Sequence, residues 1–274
     1  MAVGSMQRSA AHAVTVHSEE GPTLLLGHGL GGRPGDWQPL VEAFRDSFRV
    51  VTFAQAGSRD ADPALFTPVR HGAIVAFADD LSLLCAELGI RQAIVMGHSL
   101  GAMAGALAAA ADPGLFQRLV LLNGSACYVE DPAAGYRGGF TGVQVKELLR
   151  AISLDFEAWT AGFGPLVMGQ TARSEDVLEF VRVLRELDPV VTATCFRAAF
   201  QGDCRALMGR ITAPTLVVQS SNDPAVPLEA ASWLASAIPS ARLLPLACEG
   251  HFPHIVDPAA VIAAIGPFLQ QVLP

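Results

Sequence analysis

Ser99, Asp223 and His251 are far apart in the chain, but they have the residue types and the order that make a serine hydroxyl a nucleophile. A hydroxyl is a poor nucleophile until a base takes its proton, and the base needs an acid to hold its tautomer. Ser99 lies in Gly97-His98-Ser99-Leu100-Gly101, a G-x-S-x-G turn. This turn strains the serine backbone, so its flanking side chains must vanish, and Gly97 and Gly101 supply that room. Asp223 lies in Ser220-Ser221-Asn222-Asp223-Pro224, and His251 in Glu249-Gly250-His251-Phe252-Pro253-His254. In this arrangement His251 accepts the Ser99 proton and returns it to the leaving group. Asp223 orients the imidazole and stabilises its charged form.

Developing negative charge needs donors as well. The Leu100 N–H lies at the start of the helix after the turn, and glycines in His28-Gly29-Leu30-Gly31-Gly32 leave the Leu30 N–H free to point inward as a second donor. His28 itself reads as a structural loop histidine. Other readings stay open: Asp223 could merely cap its turn, and His254 could compete with His251. The other customary place for the acid, after the preceding strand, holds Asn123. Asp79 and Asp80 fall on the polar side of a helical stripe and read as solvated surface.

To converge, these residues must stand at strand ends on one edge of a sheet. Ile94 to Met96 is an apolar run that leads into the turn, and the alanine-rich Ala102 to Ala111 follows it as a helix. Further strand patterns fall at 13–17, 23–26, 48–53, 119–122, 215–219 and 242–246. Helical stripes lie between them, as in Trp37, Leu40, Val41 and Phe44, or Ile74, Phe77, Leu81, Leu84 and Leu88. The alternation predicts a mostly parallel sheet with helices on both faces. Residues 126–207 break it with helical stripes alone, the last starting at Asp188-Pro189. The expected organisation is therefore a core from 1–125 and 208–274, interrupted by a helical lid at 126–207.

Composition narrows the function classes. At 51% hydrophobic residues the chain can bury a large core, yet it has no uninterrupted apolar run of 18 residues, which argues against a membrane span. A net charge of −8 without a basic cluster argues against nucleic acid or anionic membranes as partners. The first 20 residues lack an apolar signal core, so a cytoplasmic location is expected. Five scattered cysteines form no C-x-x-C pair and read as buried free thiols. The chemistry calls for no metal and no cofactor.

These residues resemble the α/β-hydrolase superfamily over nearly the whole chain. The lid phrases are more specific: Cys127-Tyr128 with Asp131, Tyr136-Arg137-Gly138-Gly139-Phe140, Ala158-Trp159-Thr160-Ala161-Gly162-Phe163-Gly164-Pro165-Leu166, and Ala199-Phe200-Gln201-Gly202-Asp203. They resemble the RsbQ-type bacterial stress regulators and the plant strigolactone and karrikin receptors. The resemblance implies a four-helix lid over an apolar pocket lined by Leu30, Tyr128, Phe140, Trp159, Phe163, Phe196 and Phe200, with packing inside the lid as the plainer role for several of these. The sequence departs from the group at Ala54-Gln55-Ala56-Gly57-Ser58-Arg59-Asp60, where relatives carry an acid and a Gly-Ser-Gly turn. Leu30 also replaces a commoner phenylalanine, which would reshape the pocket mouth.

Two functions follow as expectations. One is a cofactor-independent serine hydrolase of a small, largely apolar ester or lactone. The other is a ligand-binding regulator whose lid reports to a protein partner such as a phosphatase, with slow hydrolysis. Carbon–carbon bond hydrolysis and cofactor-free haloperoxidation are weaker readings on the same fold.

Overall fold

The apolar runs become strands because each is flanked by turn residues and packed on both faces. The computed structural model describes residues 7–171 and 173–273. Its strands are β1 (Thr15–Val16), β2 (Thr23–Gly27), β3 (Arg49–Phe53), β4 (Ala93–His98), β5 (Phe116–Leu122), β6 (Thr215–Asn222) and β7 (Ala241–Glu249). They form one sheet in the order β1-β3-β2-β4-β5-β6-β7, with β2 to β7 mutually parallel and β1 antiparallel to β3. The edge strand is shorter than the 13–17 pattern predicts, because Ala13 turns the chain with φ 44°.

Alternate strand residues feed two cores. Leu24, Leu26, Ile94, Met96, Val120, Leu122, Leu216 and Val218 pack with Trp37, Leu40 and Val41, and with Val261, Ile265 and Phe268 of the helix Pro258–Leu269. Leu25, Val51, Val95, Leu119, Leu121 and Val217 face the opposite way, against the helices Val75–Glu87, Leu100–Ala111 and Leu228–Ala237. Every residue of Leu100–Ala111 except Ala111 is buried, which explains why this helix carries no polar face.

Between β5 and β6 the chain first runs as a loop with one short 3-10 turn, Pro132–Ala134, tied by bridges such as Val129 to Phe140 and Cys127 to Asp203. Four helices follow: Gly142–Leu154, Phe156–Met168, Glu175–Arg185 and Pro189–Phe200. Side chains cap each start, from Thr141, Asp155, Ser174 and Asp188. The third helix is tied to core loops by Arg33–Glu179 and Arg59–Glu186 ion pairs, both 2.7 Å. Asp80 corrects the surface reading, whereas Asp79 is exposed. The Asp80 carboxylate is buried, accepts from His71 Nε2 at 2.9 Å and pairs with Arg70 at 2.7 Å. The 62–70 stretch, which reads as irregular, brings these two partners over it by forming the short turns Pro63–Leu65 and Pro68–His71. Among the described residues, no helix is long and apolar enough to cross a membrane.

Candidate active site

Steric demand at the turn after β4 accounts for its glycines. A Cβ at Gly97 would collide with the backbone of Gly101 and Ala102, and one at Gly101 with the carbonyl oxygens of Gly27 and His28. Ser99 takes up the tight bend with φ 52° and ψ −115°, a strained backbone for a residue with a side chain. Its N–H donates to Leu122 O of β5, which fixes the strained turn to the sheet. The Ser99 side chain is thereby held at the C-terminal edge.

His251 and Asp223 come to the same edge from β7 and β6. Ser99 Oγ and His251 Nε2 are 2.9 Å apart, and His251 Nδ1 and Asp223 Oδ2 are 2.8 Å apart. With Nδ1–H donating to the carboxylate, Nε2 presents its lone pair to the serine O–H. Asp223 also accepts from the N–H groups of Ala225 (2.8 Å) and Val226 (3.2 Å) and from Gln219 Nε2 (3.2 Å). It therefore caps its turn and meets the imidazole with one buried carboxylate, so the two readings coexist. His254 does not compete: it is buried, stacked on Trp37 at 4.4 Å, and burial holds its imidazole down to about 3. Asn123 does not stand in for the acid either. Its amide reaches Ser220 and the carbonyl of His251 instead.

The loop after β2 comes close enough to contribute. A Cβ on Gly29 would lie 2.9 Å from Ser99 Cβ, so only glycine lets this backbone pass beside the turn. Among the described residues, no protein group accepts the N–H of Leu30 or of Leu100. His28 is structural in its bonding. Its Nδ1–H donates to Gly29 O at 2.9 Å, its Nε2 accepts from Gln55 N–H at 3.0 Å, and burial lowers its imidazole to about 4. Gln55, from the unusual 54–60 loop, thus braces the loop that carries Leu30.

Ser99 and His251 open into a cavity of about 130 Å³ under the lid, lined by Leu30, Tyr128, Phe140, Phe163, Phe196 and Phe200. Trp159 corrects the resemblance-based set, since it does not line this cavity. One helical turn before Phe163, it stacks behind that ring at 4.7 Å and meets the edge of Phe196. A larger open cleft of about 550 Å³ lies between Gly31–Asp36 and the third lid helix, but it touches neither Ser99 nor His251. We therefore take the smaller cavity as the site.

Sequence patterns missed several contributors. Leu148, Leu166, Val167 and Phe252 also line the cavity, and the Tyr128 hydroxyl stands 3.4 Å from Ser99 Oγ. Burial pushes that phenol up, so it stays a donor. The His251 N–H donates to Val167 O of the second lid helix at 2.6 Å, a backbone contact that no residue pattern announces. Among the described residues, no group of three His, Cys, Asp or Glu side chains is gathered as a metal site.

Comparison with known proteins bears on the family and the fold. A model of the alpha/beta hydrolase fold matches residues 22–258. The chain is 32% identical over 244 residues to the karrikin insensitive 2 receptor IA of Petunia hybrida, covering 89% of this chain and 88% of that one. It is 31% identical over 252 residues to the strigolactone esterase D14 of Arabidopsis thaliana, covering 92% of each. A hydrolase from Oleispira antarctica superposes with a TM-score of 0.90 at 26% identity, over 96% of this chain and 95% of that one.

Proposed function

The chain belongs to the α/β-hydrolase family, and on that premise we propose that it cleaves a small, neutral, largely apolar ester or lactone through an acyl-enzyme on Ser99. The observation that carries this reading is the unbroken relay from Ser99 Oγ to His251 Nε2 (2.9 Å) and from His251 Nδ1 to Asp223 Oδ2 (2.8 Å), facing a largely apolar cavity. The cavity supports this choice of substrate charge and size. Its polar lining is Ser99, Tyr128 and His251, and among the described residues neither an arginine nor a carboxylate faces in to pair with a charged substrate. A volume of about 130 Å³ suits a short acyl group.

In the first step the Ser99 oxygen attacks the carbonyl carbon while His251 Nε2 takes its proton. Negative charge moves to the carbonyl oxygen, where the Leu30 and Leu100 N–H groups receive it, each such donor contributing roughly 100- to 1,000-fold in rate. Asp223 stabilises the imidazolium. As the C–O bond breaks, His251 returns the proton to the leaving alkoxide, so no free alkoxide is released. Water then repeats the sequence on the acyl-enzyme, with His251 as its base, and releases the carboxylic acid. The test is turnover of short p-nitrophenyl esters by wild type and Ser99→Ala. The account expects the variant to lose on the order of 10³-fold or more, and equal rates would remove Ser99 from the mechanism.

A second reading, a ligand-responsive regulator with slow hydrolysis, has its own support. Relatives above 30% identity are named as receptors, and five of the nine large aliphatic side chains exposed among the described residues (Val143, Leu154, Leu166, Leu178 and Val190) lie on the lid helices. A protein partner such as a phosphatase would dock there. Pull-down from the native host with and without ligand tests it, and recovery of no partner in either state counts against it.

A further inference from the structure

Asn123 lies one residue beyond β5, fully buried, with φ 48°. Asparagine tolerates this left-handed backbone better than most residues. Its backbone N–H donates to Val218 O at 2.9 Å, which places it beside the middle of β6. The side-chain amide is committed on both sides. Oδ1 accepts from Ser220 N–H at 2.9 Å, and Nδ2 donates to Ser220 Oγ at 3.0 Å and to the carbonyl oxygen of His251 at 3.1 Å. That same carbonyl accepts from His98 Nε2 at 2.6 Å, and His98 immediately precedes Ser99.

The backbone of His251 is therefore gripped from below by two side chains, one at each of two neighbouring strand ends. One donor comes from the turn that carries the nucleophile, and the other from a residue bonded to the strand that leads to Asp223. We propose that Asn123 is a positioning residue for His251: through the His251 carbonyl it fixes where the imidazole stands between Ser99 and Asp223. This rests on the serine-hydrolase reading above. No pattern in the sequence assigns Asn123 this task, and it touches neither Ser99 nor Asp223. Its action runs through the base, and a displacement of about 1 Å at a reacting group can cost on the order of 100-fold.

Two substitutions keep the backbone allowed. Asn123→Gly removes the amide, while Asn123→Asp keeps its shape and the acceptor for Ser220 N–H but replaces the donor to His251 by an acceptor. The experiment measures kcat and KM with p-nitrophenyl acetate for both variants, each also in a His251→Ala background, with near-ultraviolet circular dichroism as the folding control. If one variant fails to fold, the other carries the test. The expected result is a folded variant with kcat reduced about 10- to 100-fold, KM within about twofold of wild type, and almost no further loss once His251 is absent. Unchanged kcat would overturn the proposal. So would an equal loss with and without His251, since a purely structural residue behaves that way. Ser99→Ala measured alongside separates the two claims: if it retains wild-type turnover, the hydrolase reading falls and the proposal falls with it.

Discussion

At the residue scale, Asp223 shows how one carboxylate serves structure and chemistry together. Two backbone N–H groups and Gln219 hold it while its Oδ2 meets His251 Nδ1. Asp223→Asn keeps the volume but favours the wrong imidazole tautomer, and kcat should fall on the order of 10⁴-fold with p-nitrophenyl acetate. A loss under tenfold would mean that another group orients His251. Tyr128 makes a weaker claim. Its hydroxyl is 3.4 Å from Ser99 Oγ and its ring stacks on Phe200 at 4.4 Å, so Tyr128→Phe keeps the packing and should lower kcat by less than about tenfold. Ser99, His251 and Asp223 are legible in the sequence because each sits in a short local phrase. Asn123 and His98 are not, because the His251 carbonyl they share lies 128 and 153 residues away and only tertiary packing brings it to them, and Gln219, which meets Asp223 four residues on, belongs to no motif.

At the scale of elements, the strands and the core-facing helices follow from periodicity, since each buries a face of fixed spacing. Periodicity says less about how the lid meets the core. Gly169 (φ 62°) and Gly250 (φ 84°) pass backbone against backbone, and a Cβ at Gly250 would lie 2.5 Å from Met168 O. Gly250→Ala should therefore cost about 1–3 kcal/mol of stability from strain alone and lower kcat further by displacing His251, read by thermal denaturation beside turnover. Unaltered activity would show that the loop tolerates movement. Within the lid, Phe196 packs on Trp159, Phe163 and Phe200 and lines the cavity. Phe196→Ala should shift preference toward longer acyl chains at a cost of about 3–5 kcal/mol in stability, and an unchanged chain-length profile would argue against this cavity as the acyl site. Trp159 shows why a pocket set carried over by resemblance goes astray. Neighbouring aromatic rings one helical turn apart stack, so one of them is placed behind the other.

At the scale of the molecule, burial of uncharged histidines sets the response to acid. Burial lowers His254 to about 3 and His28 to about 4, and drives His98 well below an ordinary histidine. The unfolded chain, titrating near 6.5, binds these protons first, so stability is lost as pH falls from about 6.5 toward 4. Asp36 works the other way. Burial raises it to about 6 from 3.8, so its contribution is present below 3.8 and lost as pH rises toward 6. Burial lowers His12 and His17 as well, so five histidines against one raised carboxylate give a net loss on acidification, and melting temperature should fall between pH 6.5 and 4. His254→Phe, which retains an aromatic ring against Trp37, should flatten that slope, and an identical slope would place the acid sensitivity elsewhere. The sheet, the lid and their order along the chain are legible in sequence because turn signals and apolar runs are local. The buried His71–Asp80 pair is not, since an acid on a helix reads as surface until its partner folds over it.

The central claim is that Ser99 carries the covalent intermediate. Incubating the protein with diethyl p-nitrophenyl phosphate and weighing it intact, then as peptides, tests this most directly. The account predicts one diethylphosphoryl group per chain, located on Ser99 and lost in Ser99→Ala, with esterase turnover abolished in proportion to labelling. Full labelling at another residue, or turnover that persists after Ser99 is fully modified, would contradict it.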